Sequence, residues 1–255
     1  MKAQLDSRPG RDNRTHRAVE VVPGFHRLAE GSVLYKCEGT VVVATVSVDE
    51  SVPRFLEGTG RGWVTAEYQM HPRANPKRRE QRDGRSKPPS GRTREIERLI
   101  GRSLRAAVNM DALGERTLAI DCDILEADGG TRTASITAGW IALGLAADKL
   151  MTRGLLSRPL LEAQVASISV GHVQGQYLLD LNYAEDSTAR VDLNLVATST
   201  GDIIEVQGTA EGRAVPRAEI DAMIDLGIEG VTSLCALQRK ALETAGVNVS
   251  RVLRA

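Results

Sequence analysis

The alternation of apolar and polar residues along the chain predicts a series of β-strands. Residues 31–48 carry two runs of β-branched and other apolar residues, interrupted at the turn signal Glu38-Gly39, so we expect a β-hairpin there. Residues 117–125 alternate apolar with polar or small side chains, which is typical of a strand with one buried face. Four more strands are predicted in the second part of the chain, at residues 164–170, 176–181, 191–198 and 203–208.

Helical spacing of apolar residues predicts the other main elements. Apolar residues recur at three- and four-residue intervals over residues 93–109, which predicts a helix. A second helix is expected at 133–151, and a last helix or helix pair at 218–244. This order of strands and helices predicts an α+β fold with helices packed on sheets. We expect one domain over residues 1–255, with a first half at about 18–150 and a second at about 151–255.

Composition narrows the class of protein. Aromatic residues make up only 3% of the chain, so a nucleic-acid surface built from several stacked aromatic side chains is not expected. The three cysteines lie far apart and form no CxxC pair, which argues against a disulfide framework or a zinc site. The sequence starts without an apolar leader, and its longest mostly apolar stretch, residues 138–147, is too short to span a bilayer. We therefore expect a cytoplasmic protein without a membrane partner.

Two helix starts carry groups that could bind an anion. Asp128-Gly129-Gly130-Thr131-Arg132 precedes an apolar helix, and glycines allow the backbone to approach a ligand closely. A helix N-terminus offers unpaired N–H groups, Thr131 adds a hydroxyl, and Arg132 can bind an oxyanion with two hydrogen bonds. Arg92 lies just before the helix predicted at 93–109. Inorganic phosphate would suit both starts, but a plain turn capped by a threonine and a solvated arginine remain alternatives.

An acidic segment offers candidate metal ligands. Asp192 and Asn194 share one face of a predicted strand, and Asp186 lies in the loop before it. Two neighbouring carboxylates can hold Mg²⁺ against a phosphate, or one of them can act as a proton donor. The alternative is a solvated acidic turn.

A basic segment between the predicted strands and the first helix could contact nucleic acid. Nine basic and two acidic residues give residues 73–94 a net charge of +7, in a chain whose formal net charge is zero. A stripe of this kind fits an RNA backbone, and a solvated loop is the alternative.

Ordered motifs along most of the chain resemble the ribonuclease PH family of phosphorolytic exoribonucleases, which includes polynucleotide phosphorylase and the subunits of exosome rings. Their number and order make the resemblance specific. The motifs are Ala29-Glu30-Gly31-Ser32-Val33-Leu34, Gly62-Trp63-Val64-Thr65-Ala66-Glu67-Tyr68, Gly91-Arg92-Thr93, Asp121-Cys122-Asp123, residues 127–135, Glu185-Asp186-Ser187 and Glu205-Val206-Gln207-Gly208-Thr209-Ala210-Glu211-Gly212.

The resemblance implies a fold and an activity. The expected fold has two βαβ-rich halves with helices on mixed sheets, and six copies would form a ring as a trimer of dimers. The expected activity is a phosphate-dependent 3′→5′ exoribonuclease, a tRNA nucleotidyltransferase that trims the 3′ ends of tRNA precursors and other RNA and releases nucleoside diphosphates. Alternatives are a hydrolytic Mg²⁺-dependent nuclease, a non-catalytic RNA-binding ring subunit and a small-molecule phosphotransferase.

The resemblance also assigns roles to individual residues. Phosphate, the co-substrate, is expected at Arg92, Gly130, Thr131 and Arg132. The catalytic and Mg²⁺-binding carboxylates are expected to be Asp186 and Asp192. The tRNA-contacting arginines are expected to be Arg73, Arg78 and Arg79.

Overall fold

A computed structural model describes residue 8, residues 10–75, residue 79 and residues 88–254. Besides a short 3₁₀ helix at Arg54–Leu56, the chain forms nine strands and six α-helices within these residues. In chain order they are β1 (Val19–Pro23), β2 (Gly31–Cys37), β3 (Thr40–Asp49), β4 (Trp63–Met70), α1 (Gly91–Arg105), α2 (Met110–Leu113), β5 (Thr117–Glu126), α3 (Thr131–Thr152), β6 (Val165–Val173), β7 (Gln176–Leu179), α4 (Tyr183–Asp186), β8 (Val191–Thr198), β9 (Ile203–Ala210), α5 (Arg217–Thr244) and α6 (Val249–Val252).

The first half is built on a five-stranded mixed sheet with the strand order β1-β2-β3-β5-β4. Strands β1, β2, β3 and β5 pair antiparallel, and β4 pairs parallel to β5 with Trp63 opposite Thr117. Parallel neighbours need a crossover connection, and α1 lies on the crossover from β4 to β5. This βαβ unit places the end of β4 and the start of α1 near each other, at one rim of the sheet.

The second half is built on a four-stranded sheet with the order β7-β6-β8-β9, antiparallel at each of its junctions. Helix α5 packs against β6 and β8, and the close approach of Gly227 and Gly230 to that sheet leaves no room for a Cβ atom at either position. One face of the second sheet is therefore covered by α5, and its other face turns towards the first half.

Helix α3 joins the two halves. It packs against β2 and β3 of the first sheet and against β6 of the second. Most of its residues from Thr133 to Leu150 are buried around the whole circumference, which explains why its sequence is apolar without a polar stripe. The helix therefore fixes how the second sheet sits relative to the first.

Most of the predicted elements are confirmed. The hairpin at residues 31–48 is β2 and β3, the strand at 117–125 is β5, and the last helix is one continuous helix. The helix predicted over 93–109 instead covers Gly91–Arg105, because Ala107 and Val108 turn back with hydrogen bonds to Leu104 and Arg105. Ala107 is nevertheless fully buried, so the apolar periodicity continued past the end of the helix.

The prediction missed five short or weakly apolar elements, β1, β4, α2, α4 and α6. In β4 the buried positions are Val64, Ala66 and Tyr68, a mixture of residues that gives little strand signal. No helix in the part of the chain that the structure describes is long and apolar enough to cross a membrane.

Candidate active site

The start of α3 is shaped for an anion. Gly129 and Gly130 both have positive φ angles, 79° and 63°, a conformation that glycine adopts without strain. Gly130 is the N-cap residue and supplies no side chain to cap the helix. The first-turn N–H groups therefore have no capping side chain at Gly130, and an anion could take that place. Thr133 does not cap the helix as one alternative supposed, since its hydroxyl donates to the Gly130 carbonyl oxygen at 2.9 Å.

Side chains at this helix start are held by neighbours from three other elements. The Thr131 hydroxyl lies 2.9 Å from the hydroxyl of Tyr68, a buried residue of β4. Arg132 Nη1 donates to Gln207 of β9 at 3.0 Å and lies 3.4 Å from Glu95 of α1. Both side chains are therefore oriented by contacts with other parts of the chain.

Arg92 lies in the first turn of α1, not just before the helix as the sequence predicted. The helix starts at Gly91 because Ser90 is the N-cap residue, and its side chain accepts a hydrogen bond from the Thr93 N–H. Arg92 is exposed and lines the same cleft as Arg132.

The two candidate carboxylates face the arginines from the second half. Asp186 ends the one-turn helix α4, which was predicted as a loop and is stabilised by a capping box between Asn182 and Glu185. Asp192 lies in β8, with Asn194 two residues further on the same face.

Electrostatics couples these carboxylates. Burial and the charge of Asp186 raise the pKa of Asp192 to about 6, against the opposing effect of Arg132. Burial raises the pKa of Asp186 as well, although Arg132 and Arg92 act in the opposite direction. Two carboxylates and two guanidinium groups therefore share one electrostatic environment.

One cleft of about 620 Å³ brings the predicted phosphate and metal residues together. It lies between the rim of the first sheet, the start of α3 and the inner face of the second sheet. Six predicted residues line it: Arg92, Gly130, Thr131, Arg132, Asp186 and Asp192. Tyr68, Ser169 and Asn194 line it too and were not among the predicted site residues.

The predicted RNA-contacting arginines do not line this cleft where they are described. Arg73 lies in an exposed turn after β4, and Arg79 is exposed. Arg78 lies outside the described residues. Asn75 of the same turn lines the cleft, so the segment after β4 begins at the cleft's edge.

A buried set of ion pairs behind the cleft was missed by the sequence interpretation. Arg17 is fully buried, and its Nη2 lies 2.7 Å from Asp180 Oδ1, while Arg8 Nε lies 2.7 Å from Glu185 Oε1. Arg17 Nη1 also donates to the carbonyl oxygen of Asp128, at the start of the Gly-Gly turn, at 2.8 Å. The only indication of these ion pairs in the sequence is that arginines are frequent near the start of the chain and acidic residues are frequent in the segment around Asp180 and Glu185.

Comparison with known proteins gives a consistent result. The chain matches the models of both domains of the 3′ exoribonuclease family, domain 1 over residues 15–147 and domain 2 over residues 163–230. It is 50% identical to the ribonuclease PH of Syntrophomonas wolfei subsp. wolfei over 232 residues, which cover 91% of this chain and 97% of that protein. It is 48% identical to the ribonuclease PH of Crocosphaera subtropica over 236 residues, which cover 92% of this chain and 97% of that protein.

The fold is also found among solved structures. A chain of the Archaeoglobus fulgidus exosome, solved with RNA bound to the active site, matches with a TM-score of 0.72. The match covers 94% of this chain and 93% of that chain at 23% sequence identity. At that identity the likeness shows the fold, which is the one the sequence motifs predicted.

Proposed function

Because the chain belongs to the 3′ exoribonuclease family that includes ribonuclease PH, we propose that it shortens RNA from the 3′ end by phosphorolysis. An oxygen of inorganic phosphate attacks the phosphorus of the last phosphodiester, and the bond from that phosphorus to the 3′ oxygen breaks. The products are a nucleoside diphosphate and an RNA one nucleotide shorter with a new 3′ hydroxyl. The diphosphate contains a phosphoanhydride bond, so the reaction also runs in the direction of nucleotide addition. The substrates include the 3′ ends of tRNA precursors.

The observation that carries this proposal is the convergence of two arginines and an anion-ready helix start on one cleft. Arg92 and Arg132 supply two positive charges, and the first turn of α3 supplies backbone N–H groups with the positive end of the helix dipole. Together they can hold phosphate in line with the scissile bond. A hydrolytic nuclease would have no use for a second anion site beside its substrate phosphate.

The carboxylates fit Mg²⁺. Mg²⁺ is commonly held by one or two carboxylates together with water and substrate phosphates, so Asp186 and Asp192 are a sufficient protein ligand set. Burial and repulsion from Asp186 raise the pKa of Asp192 and so destabilise its ionised form. A divalent cation bound beside it would stabilise that ionised form. When bound, the ion would neutralise negative charge on the phosphoryl oxygens. One of the two carboxyl groups gives a proton to the leaving 3′ oxygen.

The partners follow from the family and from charge. We propose that six copies assemble as a trimer of dimers, as the resemblance to ring-forming members of the family implies. We also propose that Arg73, Arg78 and Arg79 contact the body of tRNA, since residues 73–94 carry a net charge of +7.

The test of the proposal is an RNA degradation assay with and without phosphate. We expect nucleoside diphosphates that form only with phosphate, and we expect Arg132→Ala to lower kcat/KM by about a hundredfold, as for loss of a bidentate contact to a charged ligand. Arg217→Ala is the matched control, because Arg217 is exposed on α5 and pairs only with Asp221 among the described residues. Monophosphates formed without phosphate would indicate hydrolysis, and no product under either condition would indicate a non-catalytic subunit.

Tyr68→Phe should raise the KM for phosphate by about threefold to tenfold, the effect of one hydrogen bond, with little change in the KM for RNA. The phenol hydroxyl lies 2.9 Å from the Thr131 hydroxyl. When Tyr68 donates to Thr131, the Thr131 hydrogen is free to point at the phosphate. Tyr177→Phe, the same change outside the cleft, is the control. An unchanged KM for phosphate in Tyr68→Phe would show that Thr131 binds phosphate without this support, or does not bind it.

A further inference from the structure

A short chain of polar side chains links the second sheet to the start of α3. Strand β9 places Glu205 and Gln207 on one face, because side chains alternate along a strand. The pairing of β8 with β9 sets Gln207 opposite Asn194 and Thr209 opposite Asp192. Residues directly opposite in a sheet share a face, so Gln207 lies on the same inner face as the candidate carboxylate Asp192. From there its side chain reaches across to Arg132 of the first half.

The Gln207 amide makes three contacts whose chemistry fixes its orientation. Its Oε1 accepts from Arg132 Nη1 at 3.0 Å, and its Nε2 donates to Glu95 Oε1 at 3.2 Å and to Glu205 Oε1 at 3.1 Å. Guanidinium groups only donate and carboxylates only accept, so the amide oxygen must face Arg132 and the nitrogen must face the two glutamates. The opposite orientation would lose all three hydrogen bonds.

The end of this series of side chains that lies away from Arg132 is held by an ion pair. Arg102 of α1 binds Glu205 through two hydrogen bonds, from Nη2 at 2.6 Å and from Nε at 3.1 Å. Such a bidentate pair fixes both position and direction, so Glu205 is a firm support for the Gln207 amide. The chain Arg102–Glu205–Gln207–Arg132 thus spans α1, β9 and α3.

Two consequences for Arg132 follow. Within the described part of the chain, its hydrogen bonds and its ion pair all use Nη1, which leaves Nε and Nη2 available for other ligands. Its ion pair with Glu95 is long, 3.4 Å, and Gln207 shares the same Glu95 oxygen. Without the amide, Glu95 and Arg132 can close into a direct pair, and that carboxylate would compete with phosphate for the guanidinium group.

We propose that Gln207 is a positioning residue for the phosphate co-substrate, which presents Arg132 to the cleft and keeps it from a closed ion pair with Glu95. This role rests on the proposed function, in which Arg132 binds phosphate. Gln207 itself does not touch the reacting atoms. Its removal therefore weakens phosphate binding and leaves the RNA site as it was.

The experiment compares Gln207→Ala and Gln207→Glu with Val206→Ala, a change in the exposed neighbour on the other face of β9. We expect Gln207→Ala to raise the KM for phosphate about tenfold, as for loss of a hydrogen bond to a charged group, with the KM for a short RNA unchanged. Gln207→Glu keeps the shape but adds a carboxylate beside Arg132, so the KM for phosphate rises at least as much. Val206→Ala leaves the KM for phosphate and the KM for the short RNA as in the unmodified protein.

A double-mutant cycle tests whether Gln207 acts through Arg132. In an Arg132→Lys background, Gln207→Ala should raise the KM for phosphate by less than twofold, because the group it orients has already been replaced. Additive effects would overturn the proposal, and so would a lower melting temperature with an unchanged KM for phosphate, the result of a purely structural link. If Arg132→Lys itself leaves phosphate dependence unchanged, the assignment of Arg132 under the proposed function fails. If Arg132→Lys raises the KM for phosphate and Gln207→Ala does not, only the role of Gln207 fails.

Discussion

Asp192→Asn is expected to slow RNA shortening by about a thousandfold, within the range for loss of a group that moves a proton in the transition state. The change keeps the size of the side chain, and Asn194, whose amide lies 3.5 Å from Asp192 Oδ2, keeps a neighbour. An amide cannot carry the negative charge that holds Mg²⁺, and it has no proton to give to a leaving 3′ oxygen at neutral pH. The loss should therefore fall on kcat.

RNA binding should survive the same change. Asp192 repels the phosphates of bound RNA, so its neutralisation leaves the affinity for RNA unchanged or slightly higher, which filter binding can measure. Asp186→Asn should behave alike, because the two carboxylates share one environment. Asp221→Asn, in an exposed carboxylate on α5, is the control and should keep full activity. A rate within threefold of normal in Asp192→Asn would contradict the role proposed for this carboxylate.

The parts of the site that could be predicted from sequence are those that local sequence motifs determine. Gly129-Gly130 before an apolar helix signals a tight turn with a free helix start, and the structure shows both glycines at positive φ. The alternation along residues 191–198 placed Asp192 and Asn194 on one face, which the register of β8 confirms. That these residues share a cleft with Arg92 needed the family resemblance, because no local pattern reports how the two halves meet. Their roles in binding and catalysis stay predictions.

The parts that could not be predicted depend on contacts between distant positions. Gln207 belonged to a recognised motif, but its contact with Arg132 requires both the β8–β9 register and the side-chain contacts between β9 and α1. Arg17 looked like one more charge in an arginine-rich start, and it is buried by Asp180, a residue of the other half. Strand β4 was missed for a different reason, because Ala66 at its centre contributes almost no hydrophobic signal.

Asp180→Asn is expected to lower the free energy of unfolding at pH 7 by about 3–5 kcal/mol, the cost of leaving one partner of a buried ion pair alone. Asp180 accepts from the Arg17 backbone N–H at 2.8 Å and from its guanidinium group at 3.0 and 2.7 Å. Arg17 is 1% exposed and would keep its charge without a counter-ion. The backbone is not the cause, because Asp180 has a φ of 55° and asparagine tolerates that region at least as well as aspartate.

The pH dependence of stability gives the same pair a second test. Burial alone would raise the pKa of Asp180, but the hydrogen bonds and charge of Arg17 outweigh it, so the pKa lies below its usual value. A carboxyl group with a depressed pKa stabilises the fold at pH values above about 3.9, the unfolded value for aspartate, and loses that contribution as the pH falls through the folded pKa. Glu185, whose pKa the Arg8 ion pair also lowers against the effect of burial, adds to the loss.

Urea denaturation at one protein concentration, from pH 7 down to pH 3, should therefore show a steep loss of stability below about pH 4 that is shallower in Asp180→Asn. Asp221→Asn, an exposed carboxylate on α5, should follow the unmodified protein throughout. Equal slopes for Asp180→Asn and the unmodified protein, or a loss below about 1 kcal/mol at pH 7, would show that the buried pair does not contribute the expected stability.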